Sequence, residues 1–125
     1  MLDKVSKRVG VVRSLKNRLT RRSLRTIYIS FIRSKLEYCE TIWDGLITEY
    51  QSEQLEILQR NVIRIITGLT SYCRNEYLYL ESGLEKLSDR RRHHRLCLLY
   101  KLIHEPSLYY IRTRLLPVLI NNPDI

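Results

Sequence analysis

The chain has 125 residues, 44% hydrophobic and 28% charged, with four Gly and three Pro, which fits one globular domain and excludes a disordered or low-complexity polymer. Its net charge of +9 is unevenly placed: residues 1 to 35 hold eleven Lys or Arg against Asp3 alone, whereas the rest of the chain holds eleven basic and twelve acidic groups. A one-signed patch of this kind attracts a polyanion and differs from a generic basic surface, where the signs are mixed.

No apolar run approaches the roughly 18 to 20 residues that a membrane span needs, and the densest patch, Leu96 to Tyr100, reads as core, so no membrane partner is expected. The N-terminus carries no apolar signal segment. Cys39, Cys73 and Cys97 are odd in number and far apart, without zinc or redox spacing. They read as reduced core or loop thiols of an intracellular protein, nuclear or cytoplasmic.

Leu2 to Leu19 predicts a first helix, with Leu2, Val5, Val9, Val12 and Leu19 on one stripe, widened by Val11 and Leu15. Gly10 weakens it by about 1 kcal/mol relative to Ala. Thr20 or Ser23 then supplies an N-cap for one long helix from Ser23 to Trp43. Its stripe is Leu24, Ile27, Tyr28, Phe31, Ile32, Leu36, Cys39 and Trp43, and it should be the spine of the core. Asp44 and Gly45 end it.

Thr48, with Gln51 three residues on, has capping-box spacing and opens a third helix. Leu55, Leu58, Val62, Ile65, Ile66 and Leu69 line its core side, and Glu53, Glu56, Arg60 and Arg64 mark its polar side, with Glu56 and Arg60 as an i,i+4 pair. Gly68 is its stop. A short helix over Glu76 to Glu81 follows, closed by Ser82 and Gly83, and Leu84 and Leu87 pin a turn to the core. Ser88 caps a fourth long helix through His104, whose second half is apolar nearly all round and therefore expected at the centre. Pro106 stops it, and Ser107 to Leu116 form a last short helix before Pro117. The expected fold class is all-α, a single-domain bundle of about four main helices plus short C-terminal helices over 1–117, with a tail over 118–125 that frays from Asn121.

Catalytic chemistry is not in view. The aspartates Asp3, Asp44, Asp89 and Asp124 are isolated, and no phosphate-binding glycine loop, His-Glu-x-x-His or Gly-x-Ser-x-Gly motif occurs. His93 and His94 point about 100° apart on a helix and sit among arginines that repel a cation. No catalytic residue, metal ligand or cofactor is assigned.

The segments taken together resemble the region that follows the polymerase core in reverse transcriptases of non-LTR retrotransposons, above all the jockey-like group. The residues that carry this are Lys7 to Leu19, with its run Val9-Gly-Val-Val-Arg-Ser-Leu15; Tyr28-Ile-Ser-Phe-Ile-Arg-Ser-Lys-Leu-Glu-Tyr-Cys39 with Ile42-Trp43; Leu55-Glu-Ile-Leu-Gln-Arg-Asn-Val-Ile-Arg64; and Leu84 through Arg91 with Leu99-Tyr-Lys-Leu-Ile-His104. The similarity covers about residues 4 to 117 in the expected order, and Asp44-Gly45 departs from the Ser-Pro or Gly-Asn common in relatives. The resemblance implies a helical thumb that holds RNA template and growing DNA against a catalytic palm. The palm's Tyr-x-Asp-Asp acids are missing here, so the expectation is a fragment or degenerate copy that binds without catalysis, with an upstream polymerase palm as a candidate partner.

The expected interface with RNA or an RNA–DNA hybrid is Lys4, Lys7, Arg8, Arg13, Lys16, Arg18, Arg21, Arg22, Arg25, Arg33 and Lys35. Phosphate contacts carry no base code, so binding should be independent of sequence. Arg90, Arg91, Arg92 and Arg95 form a second basic patch at a helix start, where arginines oppose the macrodipole and call for compensation by Glu81, Glu85 or nucleic acid. Of the tyrosines, Tyr28, Tyr38 and Tyr100 read as core, while Tyr72, Tyr77 and Tyr79 are open to base stacking. The alternatives are a helical protein-interaction module, which leaves the oligomeric state open, and a transposon relic without selected function.

Overall fold

The computed structural model describes residues 2–38 and 40–120. The described residues form helices and connecting turns without a strand, as the all-α reading requires. They group into two compact units, one ending at Arg91 and the other starting at Arg92, so the boundary falls inside a helix.

In the first unit, α1 (Leu2–Leu15) buries Val5, Val9 and Val12. It stops four residues short of the expected Leu19, where 16–19 turn instead. Thr20 then accepts the Ser23 amide and caps α2 (Arg21–Ile27). The helical run expected to reach Trp43 is not uniform: a π-helical segment spans Tyr28–Arg33, α3 (Ser34–Leu36) follows, and the chain turns at Glu37 and Tyr38 before α4 (Glu40–Trp43).

The wider turn explains which residues are buried. Leu24, Tyr28, Ile32 and Leu36 lie in the core, each four residues from the last. In a regular α-helix a four-residue step overshoots a full turn by about 40°, so the stripe would wind off the core. A π turn, closed by i→i+5 hydrogen bonds, takes up the excess and keeps the four in line. Phe31 is thereby turned out to 38% exposure, against the expectation that it packs inside. Local chemistry loosens the ladder at the same place. Thr26, Ser30 and Ser34 each donate their hydroxyl to the carbonyl four residues back, at 3.0, 2.9 and 2.7 Å.

Where the run breaks, the Trp43 indole N–H donates to the Tyr38 carbonyl at 2.7 Å, and the indole packs partly buried against the core. Tyr38 itself points outward, 73% exposed, because the break takes it off the stripe. Asp44–Leu46 form a single 3-10 turn.

Helix α5 (Glu49–Thr67) follows the sequence reading closely. Thr48 and Gln51 make both bonds of the capping box, and Gly68 ends the helix at φ 74°. It packs against α1, α2 and α6 (Asn75–Ser82), so it is the central element of this unit. Val62 and Ile63 are fully buried, with Leu55, Ile65 and Ile66 beside them. Glu56, expected on the polar side, is buried. Its Oε2 accepts the Tyr79 hydroxyl at 2.9 Å and its Oε1 the Ser88 amide at 2.8 Å, while Arg60 turns instead to Glu53 at 2.5 Å. The wide apolar face of α5 meets α6 and α1 on two sides, so position 56 is enclosed. Gly83 ends α6 at φ 67°, and Leu84 and Leu87 reach the core as expected.

The helix α7 (Leu87–His104) begins in the first unit and continues into the second, which also contains a 3-10 turn at Pro106–Leu108 and α8 (Tyr109–Ile120). The apolar half of α7 was expected at the centre of the fold, but Leu96, Leu98, Leu99, Tyr100 and Ile103 are all exposed. A helix that is apolar all round needs neighbours on every side, and within its unit α7 has only α8 and one short turn. Tyr100 instead packs against His104, with ring centroids 4.3 Å apart and the planes tilted by 43°. Helix α8 runs through Pro117 rather than stopping before it. The fixed φ of proline is helical, but the ring removes the bond to the carbonyl four residues back and crowds that carbonyl, a cost that α8 carries at this position. The expected fraying of residues 121–125 lies outside the described residues.

Candidate nucleic-acid interface

The structure sorts the expected cations into two sets. In the first, the guanidinium bonds protein acceptors. Arg21 and Arg25, one turn apart on α2, reach the ends of two other helices. Arg21 donates to the Thr67 carbonyl at 2.9 Å, at the end of α5, and pairs with Glu81 at 2.6 Å. Arg25 donates to the Ser82 and Gly83 carbonyls at 3.0 and 3.3 Å, at the end of α6. Helix C-termini present unpaired carbonyls and partial negative charge, which these arginines satisfy. Both helices end in a left-handed glycine, and the two arginines reach carbonyls at both ends.

Arg8 crosses from α1 to the π segment. It donates to the Phe31 carbonyl at 2.7 Å, and its guanidinium carbon lies 4.3 Å from the centre of the Phe31 ring. Arg33 lies 3.8 Å from Glu37 with little of its side chain exposed. Burial, and then the Arg90 guanidinium nearby, pull its pKa below the ordinary arginine value. Glu37 takes Arg90 in a two-pronged contact, whose hydrogen bond holds Arg90 above its ordinary value. The buried Arg91 is held by Asp44 at 2.9 Å and by the Ser52 hydroxyl at 2.6 Å.

The compensation expected for the arginines at the start of α7 is therefore internal, and it comes chiefly from Glu37 and Asp44, with the expected Glu85 acting on Arg90 as a nearby charge. Glu81, one of the two acids expected there, is paired with Arg21 instead. Arg90 and Arg91 do not offer themselves to a ligand, so the second basic patch is not a continuous surface. Arg92 and Arg95 are exposed and belong to the second unit. No sequence signal pointed to Glu37 and Asp44, which lie 53 and 47 residues from their partners.

The second set is Lys4, Lys7, Arg13, Lys16, Arg18, Arg22 and Lys35. All seven are exposed, and none forms a salt bridge or side-chain hydrogen bond among the described residues. They lie on α1, the 16–19 turn, the first turn of α2, and α3. Lys4 and Lys35 border a cleft of about 200 Å³ with Arg8, floored by Val5. A larger apolar groove of about 450 Å³ lies between Leu2, Trp43, Ile47 and Leu55, with Asp3 and Gln51 at its edge.

The tyrosines expected to be open to bases divide as well. Tyr72 is 96% exposed and Tyr77 is exposed, whereas Tyr79 is half-buried and spends its hydroxyl on Glu56. In the second unit the rings of Tyr109 and Tyr110 are exposed beneath the guanidiniums of Arg112 and Arg114, at 5.1 and 4.8 Å. Cys73 is half-buried, and Cys97 is exposed on α7, so the reading of the cysteines as core or loop thiols does not hold for Cys97; Cys39 lies outside the described residues. No helix among the described residues is long and apolar enough to cross a membrane. Comparison of the chain with protein families, with curated proteins and with solved structures returns no match.

Proposed function

We propose that this chain binds the backbone of RNA or an RNA–DNA hybrid without sequence preference, in the manner of a helical polymerase thumb that steadies a template without taking part in catalysis. The observation that carries this is the division of the basic residues. The fold uses Arg8, Arg21, Arg25 and Arg33 to bind its own carbonyls and carboxylates, yet leaves seven cations exposed and unpaired along α1, the turn after it, α2 and α3. Charges that hold a fold together find partners within it, and these have none among the described residues. The resemblance to the post-palm region of non-LTR reverse transcriptases points to the same ligand and to an upstream palm as the protein partner.

The test is a salt titration of binding to an RNA–DNA primer-template duplex. About six phosphate contacts give a log–log slope on the order of −4 to −5. A variant with Arg13, Lys16, Arg18 and Arg22 changed to Gln should bind more weakly with a shallower slope, while keeping the structural arginines intact. Equal affinity of variant and wild type, or a slope near zero, removes this face as the interface.

The exposed Leu96, Leu99, Tyr100 and Ile103 on α7 favour a second reading, a surface for protein contact in the second unit. Light scattering at high salt separates the two, because apolar association persists there and polyanion binding does not.

A further inference from the structure

The cleft between α1 and α3 differs from the rest of the basic surface in being built from two sides. Lys4 and Arg8 are one turn apart on α1 and share a face; Lys35 comes from α3, beyond the π segment, and the three line one hollow of about 200 Å³. That is below the roughly 300 Å³ at which sites for drug-sized ligands begin. Three like charges around one hollow repel one another, and among the described residues no carboxylate pairs with any of them.

Arg8 is also fixed. Its Nη1 bond to the Phe31 carbonyl and its position over the Phe31 ring hold the guanidinium against the wall of the cleft. A guanidinium has five N–H donors, so this bond leaves others for an anion. Lys4 and Lys35 supply mobile point charges, which suit a tetrahedral oxyanion approached from several directions. The floor is Val5, 1% exposed. An apolar floor lowers the local dielectric and strengthens attraction for a small anion.

We infer that this cleft is a seat for a single phosphate group of the nucleic-acid backbone, gripped by Lys4, Arg8 and Lys35, and that it fixes where the backbone crosses α1. The inference rests on the nucleic-acid reading above and adds a defined position to it. The other cations, Arg13, Lys16, Arg18 and Arg22, then act as a diffuse field leading away from this seat.

The experiment uses the full chain, isotope-labelled for amide NMR and titrated at low salt first with inorganic phosphate and then with the primer-template duplex. Inorganic phosphate should give saturable shifts confined to the amides around Lys4 to Val9 and Phe31 to Lys35. The double variant K4Q/K35Q, which leaves Arg8 and its contact with Phe31 in place, should weaken phosphate binding about tenfold or more. The control K16Q/R18Q should bind inorganic phosphate as the wild type does and lose only duplex affinity. Undisturbed amide spectra of the free variants establish that each is folded.

Phosphate shifts spread evenly over the basic surface, or undiminished in K4Q/K35Q, overturn the seat. If the duplex still binds with a steep salt slope in that case, the broader reading stands without it. If the duplex does not bind the wild type at all, the broader reading falls, and a saturable phosphate site then takes a free or terminal phosphate, so the assignment to a backbone is overturned.

Discussion

Glu56 caps a helix that begins about thirty residues further along the chain: its Oε1 accepts the backbone N–H of Ser88, in the first turn of α7, at 2.8 Å. The first amides of a helix have no partner within it, and a carboxylate there also meets the positive end of the macrodipole. The other oxygen accepts the Tyr79 hydroxyl, so one buried side chain on α5 joins α6 to the start of α7. Glu56→Ala should cost about 2 to 3 kcal/mol in urea unfolding, because it strands both donors. Glu56→Gln, which keeps an acceptor and loses the charge, should cost about 1 kcal/mol. Two variants as stable as the wild type would remove Glu56 from this role.

The arginine pair on α2 makes a separate claim on stability. Arg25 is half-buried and satisfies two carbonyls, so Arg25→Gln should lower stability by about 1 to 2 kcal/mol. Arg21 and its partner Glu81 are half exposed, and Arg21→Gln should cost less than about 1 kcal/mol. Thermal or urea unfolding of the two single variants checks the order. If Arg21→Gln proved the more damaging, the clamp on α6 would not be the main contribution of α2.

Gly83 takes the left-handed conformation that an L side chain adopts only with strain. A Cβ there would meet nothing closer than the Arg25 Nη2 at 3.9 Å, an ordinary contact. The whole cost of Gly83→Ala should therefore be conformational, about 1 to 2 kcal/mol. Gly83→Asn should recover part of it, since Asn tolerates this region. Equal losses for Ala and Asn would point to a steric cause instead.

The elements that could be read from the sequence are those whose cause is local. The Thr48 and Gln51 capping box and the Gly68 and Gly83 stops depend on residues within a turn or two of one another, and each stands as expected; on the stripe of α5, Leu55, Val62, Ile65 and Ile66 are buried as expected, but Glu56, Gln59 and Ile63 are enclosed with them. The long helix over Ser23 to Trp43 did not, because its π segment depends on keeping Leu24, Tyr28, Ile32 and Leu36 against one core, a tertiary demand that the 3.6-residue period does not reveal. The candidate interface was legible only as composition: ten surplus positive charges near the N-terminus. Which arginines the fold would use could not be read, since the acceptors of Arg21, Arg25, Arg90 and Arg91 are carbonyls, carboxylates and one hydroxyl at least 39 residues away.

Alkaline pH gives the last prediction, through the two tyrosines of the core network. Burial, followed by the neighbouring Glu56 carboxylate, pushes the Tyr79 hydroxyl up to about 12 from an ordinary value of 10.0. Burial pushes Tyr28, whose hydroxyl donates to the Gln59 Oε1 at 2.5 Å, up as well. For an acid whose pKa is raised by folding, the unfolded chain loses its proton first. The stabilisation is complete below the unfolded value near 10 and is lost as pH rises through the folded value, so for Tyr79 the window is about pH 10 to 12. Lysines also titrate there, so the useful quantity is the difference between wild type and Tyr79→Phe in urea unfolding. At neutral pH the wild type should be more stable, because Phe leaves Glu56 with one donor fewer. That gap should narrow above about pH 10, where the wild type must keep the Tyr79 phenol protonated to stay folded and the variant has no such group at this position. A gap that stayed constant across the window would mean that folding does not raise the Tyr79 hydroxyl. Tyr28→Phe should cost about 1 to 3 kcal/mol already at neutral pH, since it strands a buried amide oxygen.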